Sequence, residues 1–134
     1  MTIKLTKIES EKFFYYALCN GLHYLSQYGC EVDYKKEDYT AAKKRLEKNP
    51  SLMIEKNNTI CYEDVLLEIL KGGKTLVCIN EDYSADSIIS LKDVHERVQK
   101  TQANHLMNMI NENDDADTAD VILQTVFYKD IIFG

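Results

Sequence analysis

Apolar positions recur at helical spacing in several parts of the chain, most clearly between residues 14 and 28. Ser10 is placed to cap a helix there, with Glu11 favourable in its first turn. Gly29 is suited to the position just after the helix. The apolar stripe comprises Phe14, Leu18, Gly21, Leu22, Leu25 and Tyr28. The spacing predicts a long first helix.

Five further segments show helical spacing or helix-capping residues. A capping box between Ser90 and Asp93 predicts one of these helices, and Thr101 is placed to cap the next. Asp115 or Asp117 is placed to cap the last of them. These helices are predicted over residues 33–48, 62–71, 90–100, about 101–110 and about 116–127.

Shorter apolar runs predict strands between these helices. Residues 75–79 form the best candidate for a central strand, and residues 87–89 are placed to pair with it as a hairpin across an acidic loop at 81–86. Weaker patterns predict strands at residues 2–8, 52–54 and 131–133, with a turn at 57–58. Strands that occur singly or as a hairpin favour an α+β fold over repeated βαβ units. We therefore expect one domain over residues 1–134, with about six helices and a small mixed or antiparallel sheet.

Composition changes this picture mainly through charge. The net charge is −6, with nine basic against seven acidic residues in positions 1–50 and seven against fifteen in positions 51–134. An acidic chain argues against direct binding to nucleic-acid phosphates, although an acidic surface suits a basic partner. No apolar run approaches the roughly 20 residues of a membrane span, and no signal-peptide pattern opens the chain. With four cysteines and no C-x-x-C pair, we expect reduced thiols in a cytoplasmic protein.

Motifs for catalysis or metal binding are lacking. The three histidines have no His-x-x-x-His or His-Glu-x-x-His spacing, and the acidic segment after Asn113 lacks the glycine and the final glutamate of an EF-hand. There is no Gly-x-Ser-x-Gly elbow, and the glycines at 72–73 lie between a helix and a strand, the reverse of a phosphate loop. We predict no catalytic residue, metal or cofactor. A site assembled by the fold around Cys19, His95 or His105 is the remaining route to a small enzyme.

Nine tyrosines and no tryptophan are the most unusual feature of the composition. On the first helix, polar and aromatic residues lie opposite the apolar stripe. Tyrosine gives a large contact area with a polar tip and a small entropy cost, which favours binding surfaces. The alternative is a helix packed on both sides, with hydroxyls at the edge of the core. The predicted ligand- or partner-binding face comprises Tyr16, Asn20, His23, Tyr24 and Gln27.

A second candidate surface is the acidic cluster before the last predicted helix. Aspartates at a helix start can cap backbone amides and complement the helix dipole, which is the simpler interpretation. The alternative is an acidic patch that binds a partner. The cluster comprises Glu112, Asp114, Asp115, Asp117 and Asp120.

Residues 115–134 resemble the ends of small uncharacterised proteins from bacteriophages and prophages. In that pattern an Asp-Ala-x-Thr-x-Asp helix leads through Gln and Phe into a final apolar strand and a glycine. Tyr128-Lys129-Asp130 replaces the usual Phe-Gly-Glu turn. The matching residues are Asp115, Ala116, Thr118, Asp120, Gln124, Phe127 and Gly134. The resemblance covers about 20 of 134 residues and implies a phage setting without catalytic residues.

Together these features predict a non-catalytic accessory protein that binds and blocks a host component, either a defence protein or its small nucleotide signal. Three alternatives remain open. An acidic DNA mimic would inhibit a nucleic-acid-binding protein through the acidic cluster. A virion or assembly component would form homo-oligomers, with residues 131–133 as a possible strand edge. A small enzyme would use a site that the fold assembles.

Overall fold

The computed structural model describes residues 3–56, 59–80, 82, 86–113 and 115–134. Within these ranges the chain forms six α-helices and one three-stranded antiparallel sheet, which confirms the predicted α+β class. The elements are α1 (Lys7–Gln27), β1 (Cys30–Asp33), α2 (Lys36–Lys48), α3 (Tyr62–Lys71), β2 (Leu76–Asn80), β3 (Ser87–Ile89), α4 (Leu91–Arg97), α5 (Ala103–Ile110) and α6 (Ala116–Tyr128). Short 3-10 helices span Pro50–Leu52 and Val98–Lys100.

The sheet has the order β1-β2-β3, so the predicted central strand is central. Cys30 pairs with Asn80 across β1 and β2, and Val77 pairs with Ile88 across β2 and β3. The hairpin prediction is therefore confirmed. The predicted turn at 57–58 and most of the acidic loop, at residues 81 and 83–85, lie outside the described residues.

The core forms mainly where α1 crosses α6. Phe14 and Phe127 are fully or almost fully buried, and their ring centroids are 6.3 Å apart. Gly21 brings the two helices close together, because a Cβ added there would lie 3.0 Å from the Cβ of Ala119. The apolar stripe predicted for the first helix is therefore the stripe that builds the core.

The start of α1 corrects two predictions. Thr6 and Glu9 form a capping box, in which the Thr6 side chain accepts from the Glu9 amide and Glu9 accepts from the Thr6 amide. The helix therefore begins at Lys7, and no strand forms in the described part of residues 2–8. Ser10 is not the cap but lies buried inside the helix. The box is an S/T-x-x-E pattern, which is stronger than the loose apolar alternation around it.

Four other boundaries differ from the predictions. Residues 52–54 form no strand, since Pro50 starts a 3-10 helix that ends at Leu52. Asp33 belongs to β1, a strand that the sequence did not predict, and not to α2. Gln102 and not Thr101 precedes α5. Residues 131–133 form no strand, because a buried side chain binds their backbone, as described below.

In the ranges that the structure describes, no helix combines the length and the apolar character that a bilayer crossing requires.

Candidate functional site

The predicted face of α1 is divided into two parts in the structure. Asn20, His23 and Gln27 are exposed and Tyr24 is half-buried near the C-terminal end of the helix. Tyr16 lies eight residues before Tyr24, which is about 12 Å along the helix at a rise of about 1.5 Å per residue. Its hydroxyl donates to the carboxylate of Glu55, so its role there is at least partly to hold the segment after the first 3-10 helix.

A row of aromatic rings in contact begins at His23 and continues beyond α1. The ring centroids of His23 and Tyr24 are 4.4 Å apart, and those of Tyr24 and Tyr28 are 6.5 Å apart. Tyr28 stacks on Phe133 at 5.2 Å, and Phe133 meets the edge of Tyr128 at 5.6 Å. We call these five residues the aromatic stack. Sequence spacing could find only its first part, because Phe133 and Tyr128 reach it through the tertiary fold.

Hydrogen bonds beneath the aromatic stack fix its geometry. The hydroxyl of Tyr28 donates to Asp120 Oδ2 at 2.7 Å. Gln124 is fully buried, and its amide nitrogen donates to Asp120 Oδ1 at 2.9 Å. Its Oε1 accepts from the backbone amides of Ile132 and Phe133 at 2.8 and 2.9 Å. Phe133 is therefore held against Tyr28 by a side chain of α6, where the sequence had predicted a strand.

The same network raises the pKa of one phenol. Burial, followed by the hydrogen bond to Asp120, raises the pKa of Tyr28 to about 12. The Tyr28 hydroxyl therefore stays protonated at neutral pH and continues to donate to the carboxylate.

The acidic cluster meets the aromatic stack at Asp120. Asp115 caps α6 by accepting from the Thr118 amide at 2.8 Å, which confirms one of the two predicted caps. Asp117 is exposed in the first turn of α6, and Glu112 is exposed before it. Asp114 lies outside the described residues. The acidic cluster is therefore connected through Asp120 and Tyr28 to Tyr24 of the predicted face, although Tyr28 itself was predicted as part of the apolar stripe.

Several residues of α6 and of the segment after it have clear structural roles. Thr118 is buried, and its hydroxyl lies 2.8 Å from His105 Nδ1. Gly134 has a φ of +86°, and a Cβ there would lie 3.1 Å from the hydroxyl of Tyr28. With Asp115, Asp120 and Gln124, these residues hold α6 and the residues after it in place.

The residues considered for a fold-assembled catalytic site have other partners. His95 lies 2.8 Å from Glu11 on α1, whereas His105 contacts Thr118 on α6. Partial desolvation, followed by the nearby carboxylates of Glu63 and Asp64, raises the pKa of Cys19 to about 11, although the residue is exposed overall. Its thiol is therefore protonated at neutral pH and is a poor nucleophile. His23, four residues after Cys19 on α1, packs its ring against Tyr24 at a tilt of 34°.

A buried pair of thiols lies at the end of the aromatic stack. The Tyr128 hydroxyl donates to Cys78 Sγ at 3.2 Å and lies 3.7 Å from Cys30 Sγ. Burial raises the pKa of Cys78 to about 12, so this thiol too is protonated at neutral pH. Among the described residues, no group of three or more His, Cys, Asp and Glu side chains is arranged to hold a metal ion.

Comparisons with known proteins give no relative to which this site can be compared. No family model, curated protein or solved structure matches the chain.

Proposed function

We propose that this is a non-catalytic accessory protein of the phage type that binds and blocks a host protein. Its binding surface is formed by the exposed end of the aromatic stack together with Asn20, Gln27 and Asp117. The observation that carries the proposal is the Tyr28–Asp120 hydrogen bond, which joins an aromatic surface to an acidic one.

The chemistry of this joint surface favours a basic segment of the partner. Arginine and lysine stack on aromatic faces through cation–π contacts and form charge-assisted hydrogen bonds with carboxylates. His23 and Tyr24 offer ring faces, and Asp117 lies one turn before Asp120 on the neighbouring helix. Because hydrogen bonds hold Tyr28 and Phe133 in place, little side-chain entropy is left to lose on binding. A small nucleotide fits this surface less well, because its phosphates would face carboxylates.

Two of the alternatives lose part of their support. A DNA mimic needs rows of free carboxylates, but Asp115 is engaged as a helix cap and both oxygens of Asp120 accept hydrogen bonds within the protein. Assembly through a terminal strand needs an edge at residues 131–133, where no strand forms.

The proposal is tested by capturing partners of the tagged protein from a bacterial lysate and measuring the complexes by native mass spectrometry. We expect a host protein bound to the wild type, with affinity that falls as salt rises. The double variant H23A/Y24A should lose at least about tenfold in affinity, since aromatic residues at interfaces often contribute 2 kcal/mol or more.

The matched control is Tyr62→Ala, which removes a tyrosine that is 40% exposed in a different cluster with Tyr34 and Tyr39. The control should bind as the wild type does. Thermal unfolding checks that both variants are folded. If the folded H23A/Y24A variant binds the partner with the affinity of the wild type, the partner binds to another surface.

A further inference from the structure

A cavity of about 590 Å³ lies between the N-terminal segment and the start of α5, away from the aromatic stack. We call it the basic groove. Its lining comprises Ile3, Lys4, Gln99, Lys100, Thr101, Ala103 and Leu106. Both charged residues in this lining are lysines, in a chain whose net charge is −6. The groove therefore has the opposite charge to most of the protein.

The start of α5 borders the basic groove at Ala103. Gln102 occupies the N-cap position but makes no capping hydrogen bond with its side chain. The amides of His105 and Leu106 donate to the carbonyl of Gln102, and the amides of Ala103 and Asn104 precede them in the first turn. Such leading amides, together with the positive end of the helix dipole, favour an anion.

Thr101 provides an observation that does not depend on the helix terminus. Thr101 is one of the residues that line the groove, it is 5% exposed, and its buried hydroxyl has no hydrogen-bond partner in the described part of the chain. A buried hydroxyl without a partner costs about 1–3 kcal/mol, so an acceptor supplied from outside would be stabilising. Gln99 Oε1 accepts from the Leu5 amide. The side-chain nitrogen of Gln99 is therefore a further candidate donor to a ligand in the groove.

The remaining wall of the basic groove is apolar. Ile3, Ala103 and Leu106 contribute aliphatic surface beside the two lysines. The volume falls within the roughly 300–1,000 Å³ typical of small-molecule sites and is larger than a phosphate ion requires. The lining therefore suits a ligand with an anionic group at one end and an apolar or aromatic group at the other.

We propose that the basic groove binds a small organic phosphate of about mononucleotide size. A phosphate offers several acceptor oxygens and up to two negative charges, which matches two lysines, the leading amides of α5 and the Thr101 hydroxyl. This inference is independent of the proposed protein partner, because it rests on a different surface of opposite charge.

The test is a titration of the ¹⁵N-labelled protein, followed by NMR, with AMP, inorganic phosphate and adenosine as separate probes. We expect AMP to shift the amide signals of Thr101, Ala103 and Asn104 saturably. Inorganic phosphate should shift the same signals with about tenfold weaker affinity, because it buries no apolar surface. Adenosine should leave them unchanged.

Two variants test the assignment to this groove. Gln102→Asp places a carboxylate at the N-cap, where it would accept from the leading amides and repel an anion, so AMP affinity should fall at least about tenfold while thermal stability is kept or raised. Lys100→Gln removes one cation from an exposed position and should weaken AMP binding by several fold. The matched control, Lys48→Gln, changes an exposed lysine at the end of α2 and should bind AMP as the wild type does.

Three results would overturn the inference. One is an absence of saturable shifts with AMP. Another is unchanged AMP binding in a folded Gln102→Asp variant, which would place the anion elsewhere. The third is equal affinity for inorganic phosphate and AMP, which would show that the groove does not bind the organic part of the ligand.

Discussion

The two helices α5 and α6 follow each other in the chain but begin in opposite ways. The start of α6 is capped by Asp115, whose carboxylate accepts from the Thr118 amide at 2.8 Å. The start of α5 follows Gln102, which makes no side-chain cap, and it opens onto a groove lined by lysines. The protein thus satisfies the amides of one helix with its own side chain and leaves those of the other helix to solvent or a ligand.

This difference extends beyond the helix starts. Along α6, both carboxylate oxygens of Asp120 and the side-chain oxygen of Gln124 accept hydrogen bonds. These hydrogen bonds hold the aromatic stack together. Beside α5, the hydroxyl of Thr101 is buried and has no partner among the described residues. We infer that α6 contributes mainly to stability and to a preformed surface, whereas the start of α5 is arranged to receive a ligand.

The largest expected effect comes from breaking the network of α6. Gln124→Ala removes the acceptor of the Ile132 and Phe133 amides and a donor to Asp120, so three half-buried polar groups each lose a hydrogen bond. We expect a loss of about 3 kcal/mol in the free energy of unfolding, measured by urea denaturation. The exposed Gln27→Ala should change it by less than about 0.5 kcal/mol. A similarly small effect of Gln124→Ala would mean that the network does not hold the chain after α6.

A smaller effect is expected when the cap of α6 is removed. Asp115→Ala should destabilise the protein by about 1 kcal/mol at neutral pH, whereas Asp115→Asn should preserve most of the stability because asparagine also caps well. The hydrogen bond from the Thr118 amide lowers the pKa of Asp115. Its contribution should therefore be complete above the ordinary aspartate pKa and disappear as the pH falls through the lowered value.

This pH dependence can be measured by comparing unfolding of the wild type, Asp115→Ala and Asp115→Asn between pH 7 and about pH 2. The advantage of the wild type over Asp115→Ala should shrink toward acid pH. A difference that stays constant over this range would contradict a role for the ionised carboxylate.

The smallest expected effect is a gain of stability at α5. Gln102→Asp gives α5 the cap that α6 already has, and in the absence of ligand it should stabilise the protein by about 0.5–1 kcal/mol. Thermal and urea unfolding at low ionic strength would measure this gain, with Lys48→Gln as a neutral surface control. No gain, or a loss, would show that the Gln102 backbone does not have room for a capping side chain.

Local signals predicted the helices well. The stripe from Phe14 to Tyr28 predicted α1, and α3 begins and ends at the predicted residues, because its apolar periodicity and the glycines at 72–73 agree. The capping box of Ser90 and Asp93 likewise forms as predicted. Such features are local because their partners lie within four residues.

The errors at β1 and at residues 131–133 occurred where distant residues decide the local structure, whereas the start of α1 was missed although its capping box is local. The strand β1 is only four residues long and is stabilised by pairing with β2, which begins at residue 76. The apolar residues 131–133 resemble a strand, but the side chain of Gln124 takes their backbone amides.

The candidate surfaces were found only in part for the same reason. Helical spacing placed Asn20, His23, Tyr24 and Gln27 on one face of α1, but Phe133 and Asp120 reach the neighbouring Tyr28 only in the folded chain. The basic groove has no sequence motif, because it combines residues 3–4 with residues 99–106.

The packing of α1 on α6 also has a consequence for the order of folding. Tyr28 and Asp120, which meet at this packing, are 92 residues apart, whereas α2 and α3 are close neighbours in the chain and pack on each other. Closing so long a loop costs entropy before any contact repays it, so the α1–α6 contact should form late and limit the folding rate. Until then the apolar faces around Phe14 and Phe127 are exposed to other chains. The period before α1 and α6 meet is therefore the stage at which aggregation competes most strongly with folding.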